Sequence, residues 1–228
     1  MCYNQPMSNL EGKPKVHRPI AVFDFDGTMI SGDSIVRFLW QALKEGYLSP
    51  LQLPKLALHT RRALKGSITA EEGKTRTLRF LKLLTPRARE AFCRRFCEQQ
   101  LMPRVYPKAL ERLEKHRTKG DVLVLLSASP EVYMRYLQPL LRLDAVLATP
   151  TDECGVVTFN NRGREKVRRL QAWAMEQSFS VEWSASSSYG DSAHDLPVMR
   201  LCGNPVMVNP KPSMLKEAST LPQEVWRP

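Results

Sequence analysis

Two aspartates two positions apart, Asp24 and Asp26, end the apolar run Ile20-Ala21-Val22-Phe23 and are followed directly by Gly27 and Thr28. Alternate residues leaving a strand point to the same side, so both carboxylates would face one site while Phe25 packs away. Gly27 permits the turn that returns the chain. One carboxylate, already ionised at neutral pH, can attack phosphorus without a base to activate it. The other can protonate a leaving oxygen and later take a proton from an attacking water. Ser127 follows a second apolar run, Arg164 and Lys166 open a helical stretch, and Asp191 and Asp195 follow a further short run. A carboxylate attacking a phosphate dianion is a meeting of like charges, so this chemistry demands a cation and a lysine. Carboxylates converging beyond one sheet edge ask for the same cation, and oxygen-rich sites of this kind suit Mg²⁺.

The elements that must position these groups are short buried strands and longer helices. Residues 19–23, 121–126, 145–148, 187–189 and 205–208 read as strands, and 106–119, 130–140 and 164–177 as helices between them. That alternation predicts an α/β fold, a Rossmann-like parallel sheet with helices on both faces. In such sheets ligands bind beyond the carboxyl ends of the strands, where the polar groups fall. Asp26 and Ser127 are 101 positions apart, far more chain than one crossover needs. The intervening stretch has no strand alternation and four helical pieces, 34–44, 51–64, 69–84 and 86–100. We expect an all-helical cap inserted there. The implied organisation is an N-terminal extension over 1–18, a core from 19–33 and 106–228, and a cap over 34–105. After residue 210 we expect a helix and then a loose end.

With 43% hydrophobic and 25% charged residues the chain has ordinary globular usage, which excludes disorder. It contains no apolar run of about 18 residues, and its polar, proline-bearing start does not read as a leader. Five scattered cysteines, Cys2, Cys93, Cys97, Cys154 and Cys202, suit free thiols in a reducing cytoplasm. Cys93 and Cys97 could share a helix face, but no second ligand pair accompanies them. The net charge of +11 is not evenly spread: residues 41–120 hold 19 Lys and Arg against 7 Asp and Glu, and the remainder 15 against 16. A basic surface there could concentrate phosphorylated substrates or anionic headgroups, or be a solvated helical face. Charge alone does not support a nucleic-acid-binding module, and none is expected.

In order and spacing, Asp24-Phe25-Asp26-Gly27-Thr28, Leu126-Ser127-Ala128-Ser129-Pro130, Gly163-Arg164-Glu165-Lys166-Val167 and Gly190-Asp191-Ser192-Ala193-His194-Asp195-Leu196-Pro197 resemble the four motifs of the haloacid dehalogenase superfamily. The chain is most similar to the branch with a helical cap after the first motif, which holds phosphoserine phosphatase and its relatives. The resemblance implies a Mg²⁺-dependent phosphatase working through an aspartyl phosphate. Asp24 would be nucleophile and metal ligand, and Asp26 general acid/base and metal ligand through its main-chain carbonyl. Ser127 would hydrogen-bond the phosphoryl oxygens, Lys166 would neutralise them, Asp191 would ligate Mg²⁺ and Asp195 would complete that shell. Arg164 competes with Lys166 for the neutralising role, and Gly27, Thr28 and Ala128 would adjoin the substrate.

Substrate is implied less sharply. Asp33 stands where phosphoserine phosphatases carry a substrate-reading glutamate, and a shorter side chain loses reach. Matching the cap register puts Ala70 at an aromatic position and Thr77, beside Arg76, at the substrate-carboxylate arginine. We therefore expect a small phosphomonoester other than phosphoserine. The alternative is a peripheral membrane phosphatase of phosphatidylglycerophosphatase type, its basic cap on an anionic membrane surface. Blander readings stand beside these: Asp24 and Asp26 as turn carboxylates, Ser127 as a cap ahead of Pro130, Asp195 as a cap ahead of Leu196, and His194 as a surface neighbour. The oligomeric state is left open.

Overall fold

The computed structural model of the chain describes residues 16–227, so most of the N-terminal extension lies outside the described residues. The strands in chain order are β1 (His17–Arg18), β2 (Ile20–Phe23), β3 (Val122–Pro130), β4 (Ala145–Thr149), β5 (Ser180–Val181), β6 (Ser187–Gly190), β7 (Asn204–Val208) and β8 (Gln223–Glu224). Six of them form one parallel sheet in the order β4-β3-β2-β6-β7-β8, which places β2 at the centre between β3 and β6. β1 and β5 pair separately. The helices are α1 (Ser34–Lys44), α2 (Leu53–Leu64), α3 (Ala70–Leu78), α4 (Pro86–Phe96), α5 (Pro107–Lys119), α6 (Glu131–Met134), α7 (Leu137–Leu141), α8 (Arg164–Glu176), α9 (Leu196–Met199) and α10 (Pro212–Ala218).

Continuous apolar runs in β2 and β3 are what a sheet covered on both faces requires. Ile20 and Val22 of β2, with Val122, Val124 and Leu126 of β3, point to one face and meet Leu170 of α8 and Val198 of α9. Ala21, Phe23, Leu123 and Leu125 point to the other, where Ala109 and Leu113 of α5 and Tyr133 and Leu137 of α6 and α7 cover them. Gly120 ends α5 at φ +81°, a left-handed turn that glycine adopts freely, and the chain enters β3 two residues later. The apolar residues of α1 to α4 are continuous with this second face. Phe38 of α1 sits at their junction, fully buried, with ring centroids 5.0 Å from Phe92 and Phe96 and 4.7 Å from Tyr133.

Several expected boundaries differ. The helix expected over 130–140 is two, α6 and α7, because Pro139 has no N–H to give to the carbonyl of Arg135, and Pro130 closes β3 instead. The helix expected over 69–84 tightens into a 3₁₀ turn at Arg79–Leu83, and that over 86–100 widens into a π turn at Cys97–Leu101. Within that π turn the Cys97 thiol donates to the Tyr133 carbonyl at 3.1 Å. Cys93 and Cys97 are buried, and burial pushes the Cys93 thiol up to about 12; these are core thiols. The C-terminal segment is not a loose end. β8 joins the sheet, and Trp226 is buried against Tyr189 and donates its indole N–H to Glu224 at 2.7 Å. Two-residue strands carry no periodicity, so β1, β5 and β8 leave no pattern to read.

The ring cluster at Phe38 predicts that Phe38→Ala costs about 3–5 kcal/mol through lost burial and a residual cavity. Leu83→Ala, at a side chain 78% exposed, should cost under about 0.5 kcal/mol. Urea denaturation midpoints at matched slope would measure both, and equal losses would contradict the packing described.

Candidate active site

The carboxyl ends of β2 and β6 and the first turn of α8 meet at one point, because β2 lies in register between β3 and β6. Asp24 and Asp26 follow β2, Ser127 lies near the end of β3, Asp191 follows β6, and Asp195 stands just ahead of α9 with its carboxylate turned away from that helix's N–H groups. Lys166, in the first turn of α8, is buried and reaches across to donate to Asp24 Oδ1 at 2.7 Å and Asp195 Oδ1 at 2.6 Å. Oxygens of Asp24, Asp191 and Asp195 lie within 4.8 Å of one another. Thr28 Oγ1 donates to Asp24 Oδ2 at 3.3 Å, and Ser192 donates to Asp195 Oδ2 through both N–H and Oγ. Two glycines make the approach feasible. A Cβ on Gly27, which holds φ +86°, would lie 2.0 Å from Asp191 Oδ2, and one on Gly190 would lie 2.5 Å from Asp195 Cβ.

Burial, opposed by ion pairing with two lysines, dominates the electrostatics. Burial pushes the Asp24 carboxyl up to about 8, with Lys166 resisting and Asp195 and Asp191 adding to the rise. For Asp195 burial also opposes the charged form, but Lys166 and the Ser192 donors outweigh it and hold its pKa below the ordinary range. Lys166 itself is held above the ordinary lysine value, burial being overcome by its two carboxylates. Burial raises Asp191 against the pull of Lys211, whose ammonium stands 2.6 Å from Asp191 Oδ2. Three carboxylates against two ammonium groups leave one negative charge, and Asp24 is the member that burial drives toward protonation. An oxygen-liganded divalent cation fits this donor set, since it would keep all three carboxyls ionised.

Asp26 occupies a neighbouring network. Ser34 donates to it from N–H at 2.8 Å and from Oγ at 2.9 Å, and Ser129 Oγ donates to Oδ2 as well. The Tyr133 hydroxyl is 2.9 Å from Ser34 Oγ. Burial, then Asp33, pushes the Asp26 carboxyl up to about 6 against these donors. Ser127 is buried, its Oγ accepting from Ser129 N–H at 3.0 Å and its carbonyl from Asn161 Nδ2 at 3.0 Å. Asp33 is exposed and caps α1 by accepting from Ile35 N–H at 2.9 Å. Arg164 is exposed and has no polar partner among the described residues, so it is not brought to the cluster. His194 is exposed and paired with Arg162 on the surface.

The sequence reading overlooked Lys74, Asn160, Asn161 and Lys211. Lys74, on α3, donates to the carbonyl of Ala128 and to Asn160 Oδ1, the latter at 2.6 Å. It lies within electrostatic reach of Asp26 and Asp33, and burial lowers its ammonium to about 8. Asn161 ties the ends of β3 and β4 together through Ser127 O and Leu147 O at 3.0 and 2.8 Å. The Asn160-Asn161 pair just before Gly163 was a visible turn signal. For Lys74 and Lys211 no local signal exists, because each is a single lysine in a polar helix or loop with no pattern to set it apart from the other lysines of the chain.

A family model described as haloacid dehalogenase-like hydrolase matches residues 21–200. Among curated proteins the chain is similar to a histidinol-phosphatase of Neisseria meningitidis serogroup C (strain 8013), 26% identical over 214 residues that cover 87% of this chain and 94% of the relative. Among solved structures it is similar in fold to a protein of unknown function from Bordetella pertussis Tohama I, with TM-score 0.80, 21% identity and coverage of 91% of this chain and 98% of that one. It is also similar to an unliganded probable phosphoserine phosphatase from Vibrio cholerae, with TM-score 0.69, 20% identity and coverage of 94% and 62%. Among the described residues no helix is long and apolar enough to cross a membrane.

The raised Asp24 carboxyl carries a prediction with a sign. Below about 8 it holds a proton that a ligating carboxylate must shed, so a divalent cation should bind more tightly as pH rises toward that value. By linkage, folding of the cation-free protein favours protonated Asp24 between its unfolded value of about 4 and its folded one. That contribution to stability should be lost as pH rises through the same window. Thermal shifts titrated with Mg²⁺ at pH 6 and pH 8 should give the lower half-saturating concentration at pH 8. Equal concentrations would remove the carboxyl from the ligand set.

Proposed function

The chain belongs to the haloacid dehalogenase-like hydrolase family, and from that premise we propose that it hydrolyses a small phosphomonoester through a phosphoryl-aspartate formed on Asp24. The observation that carries this reading is the buried Asp24 carboxylate clamped by Lys166 beside two further carboxylates. The similarity to a histidinol-phosphatase over nearly all of both chains supports the choice of phosphoryl transfer. Asp24, Asp191 and Asp195, with the main-chain carbonyl of Asp26, would hold Mg²⁺, which supplies the positive charge that lets a carboxylate approach a phosphate dianion.

The residues' own work follows from their surroundings. Asp24 attacks phosphorus while the bond to the leaving oxygen breaks. Lys166 and the Ser127 hydroxyl take the charge of the phosphoryl oxygens. Asp26, pushed up to about 6, is poised to hold a proton and give it to the leaving oxygen, then to take one from the water that attacks phosphorus and frees Asp24. Its three donors, two from Ser34 and one from Ser129, fix its orientation, and one of them must yield when it turns to the substrate. Residues 34–105 act as a cap, with Lys74 bridging α3 to Ala128 and Asn160 at the mouth.

The mouth argues for a substrate other than phosphoserine. Arg76 is bonded to Glu72 and His59, and the Thr77 hydroxyl turns to Gly73 O at 2.8 Å, so neither is free to read a carboxylate at the cluster. The exposed Asp33 carboxylate favours a leaving group of net positive charge, as histidinol has, over serine, whose carboxylate cancels its ammonium. A comparison of the two substrates should give the higher kcat/KM with histidinol phosphate, and a clear preference for phosphoserine would reverse this assignment.

Substitutions separate the two first-motif carboxylates. Asp24→Asn should abolish turnover and phosphoenzyme together, because an amide is a poor nucleophile. Asp26→Asn should keep its main-chain carbonyl and so most of its Mg²⁺ affinity, while losing roughly 10²- to 10⁴-fold in rate. With p-nitrophenyl phosphate, whose leaving group needs no proton, phosphoenzyme on Asp24 should then accumulate and be seen by mass spectrometry. Near-normal turnover by Asp24→Asn, or label on Ser127 or His194, would show the nucleophile to be another residue.

A further inference from the structure

Away from the carboxylate cluster, the helical insert contains a cavity of about 630 Å³ between the loop after α1, α2, α3 and the 3₁₀ turn that follows α3. Its volume lies within the range of sites that hold small organic molecules, about 300–1,000 Å³. Its inner wall is apolar: Leu48 and Phe80 are buried, and Leu56 is half-buried beside them. Its outer wall is cationic. Lys55, Arg79 and Lys82 are exposed and line it, and none of the three has a hydrogen-bond or ion-pair partner among the described residues. Arg76 adds a fourth positive charge, its guanidinium 3.2 Å from His59 Nδ1, and is balanced by Glu72. No carboxylate is among the described lining residues. Leu83, 78% exposed, stands at the same wall.

The geometry points to a binding site for a single-chain anionic amphiphile, its hydrocarbon body against Leu48, Leu56 and Phe80 and its charged head among Lys55, Arg79 and Lys82. Three exposed cations without a carboxylate among them make a positive edge to an apolar hollow, which attracts an anion, and an exposed leucine at the wall extends the apolar surface outward. His59 reports the same field: burial first, then the neighbouring charges of Arg76, Lys55 and Arg62, hold its imidazole below the ordinary value. Neutral apolar ligands would leave the cations unpaired, and small inorganic anions would leave the apolar wall wet. The site is independent of the phosphatase reading, since no residue of the catalytic cluster lines it.

Octanesulfonate is a suitable probe, because it carries chain and charge and has no phosphoester to hydrolyse. Isothermal titration calorimetry should detect its binding below its micellar range. 1-Octanol, lacking the charge, and methanesulfonate, lacking the chain, should each bind at least about tenfold more weakly, a difference of roughly 1.4 kcal/mol. The double variant Lys55→Ala/Lys82→Ala and the single variant Leu83→Ser should each weaken octanesulfonate by a similar factor while leaving the thermal midpoint near that of the parent. These are exposed positions, so loss of fold is not expected to confuse the result, and the binding readout stands whether or not the chain hydrolyses phosphoesters. Binding untouched by both variants, or no binding of octanesulfonate, would overturn the proposal. So would cosedimentation with phosphatidylglycerol vesicles in the absence of octanesulfonate binding, which would give the basic wall to a bilayer surface instead.

Discussion

Everything at the centre of this molecule depends on one buried ammonium shared between two carboxylates. Lys166 bonds Asp24 and Asp195 at once, and all three groups are largely removed from water. Removing one partner from such a group leaves an uncompensated buried charge, which costs about 3–5 kcal/mol in well-studied cases. The fold must therefore deliver α8 to the sheet edge with its first turn, and no other part of the helix, over the end of β2. It does so with the apolar face of α8, where Leu170 packs on the same side of the sheet as Ile20 and Val22. The apolar contact sets the helix, and the helix sets the lysine.

The backbone carries the second constraint. Carboxylates can crowd this closely only where side chains are absent from the paths between them. At Gly27 and Gly190 a single added carbon would collide with Asp191 or Asp195. Tyr189, which precedes Gly190, fixes β6 from the opposite face: it stacks on Phe23 and bonds His116 Nε2 at 2.7 Å, and His116 in turn bonds Asp121. Burial lowers the His116 imidazole against the pull of Asp121, so this chain of contacts works with a neutral ring. A polar ladder beneath one strand thus holds the strand whose end presents Asp191.

The parts legible in the sequence were those with a local signature. The runs ending at Phe23 and Leu126 read as strands because they are apolar throughout and short. Asp24, Asp26, Ser127, Lys166, Asp191 and Asp195 were nameable as candidates because strand ends and motif spacing coincide. Lys74 was illegible for a physical reason. What selects it among the many lysines of the insert is the packing of α3 against residues 157–160, and that packing rests on polar contacts that hydropathy does not register. The C-terminal anchor was illegible for another. A tail that pairs through two residues and one buried tryptophan has too little pattern to be told from a loose end.

The contacts of α3 show how a nearly polar helix can still have a defined orientation. Glu71, Lys74, Thr75 and Leu78 follow the spacing of one helical face. Each meets the core side: Glu71 accepts from Asn160 N–H, Lys74 donates to Asn160 and Ala128, Thr75 accepts from Val157 N–H, and a Cβ on Gly155 would collide with Leu78 O. Glu72, Gly73 and Arg76 lie on the opposite side, where Gly73 approaches Ala63 of α2 and Arg76 bonds His59. The helix is a strut between the mouth of the carboxylate cluster and the cationic wall of the cavity. One face of α3 thus aims Lys74 at Ala128 and Asn160, while the other rests on Ala63 and His59 of α2.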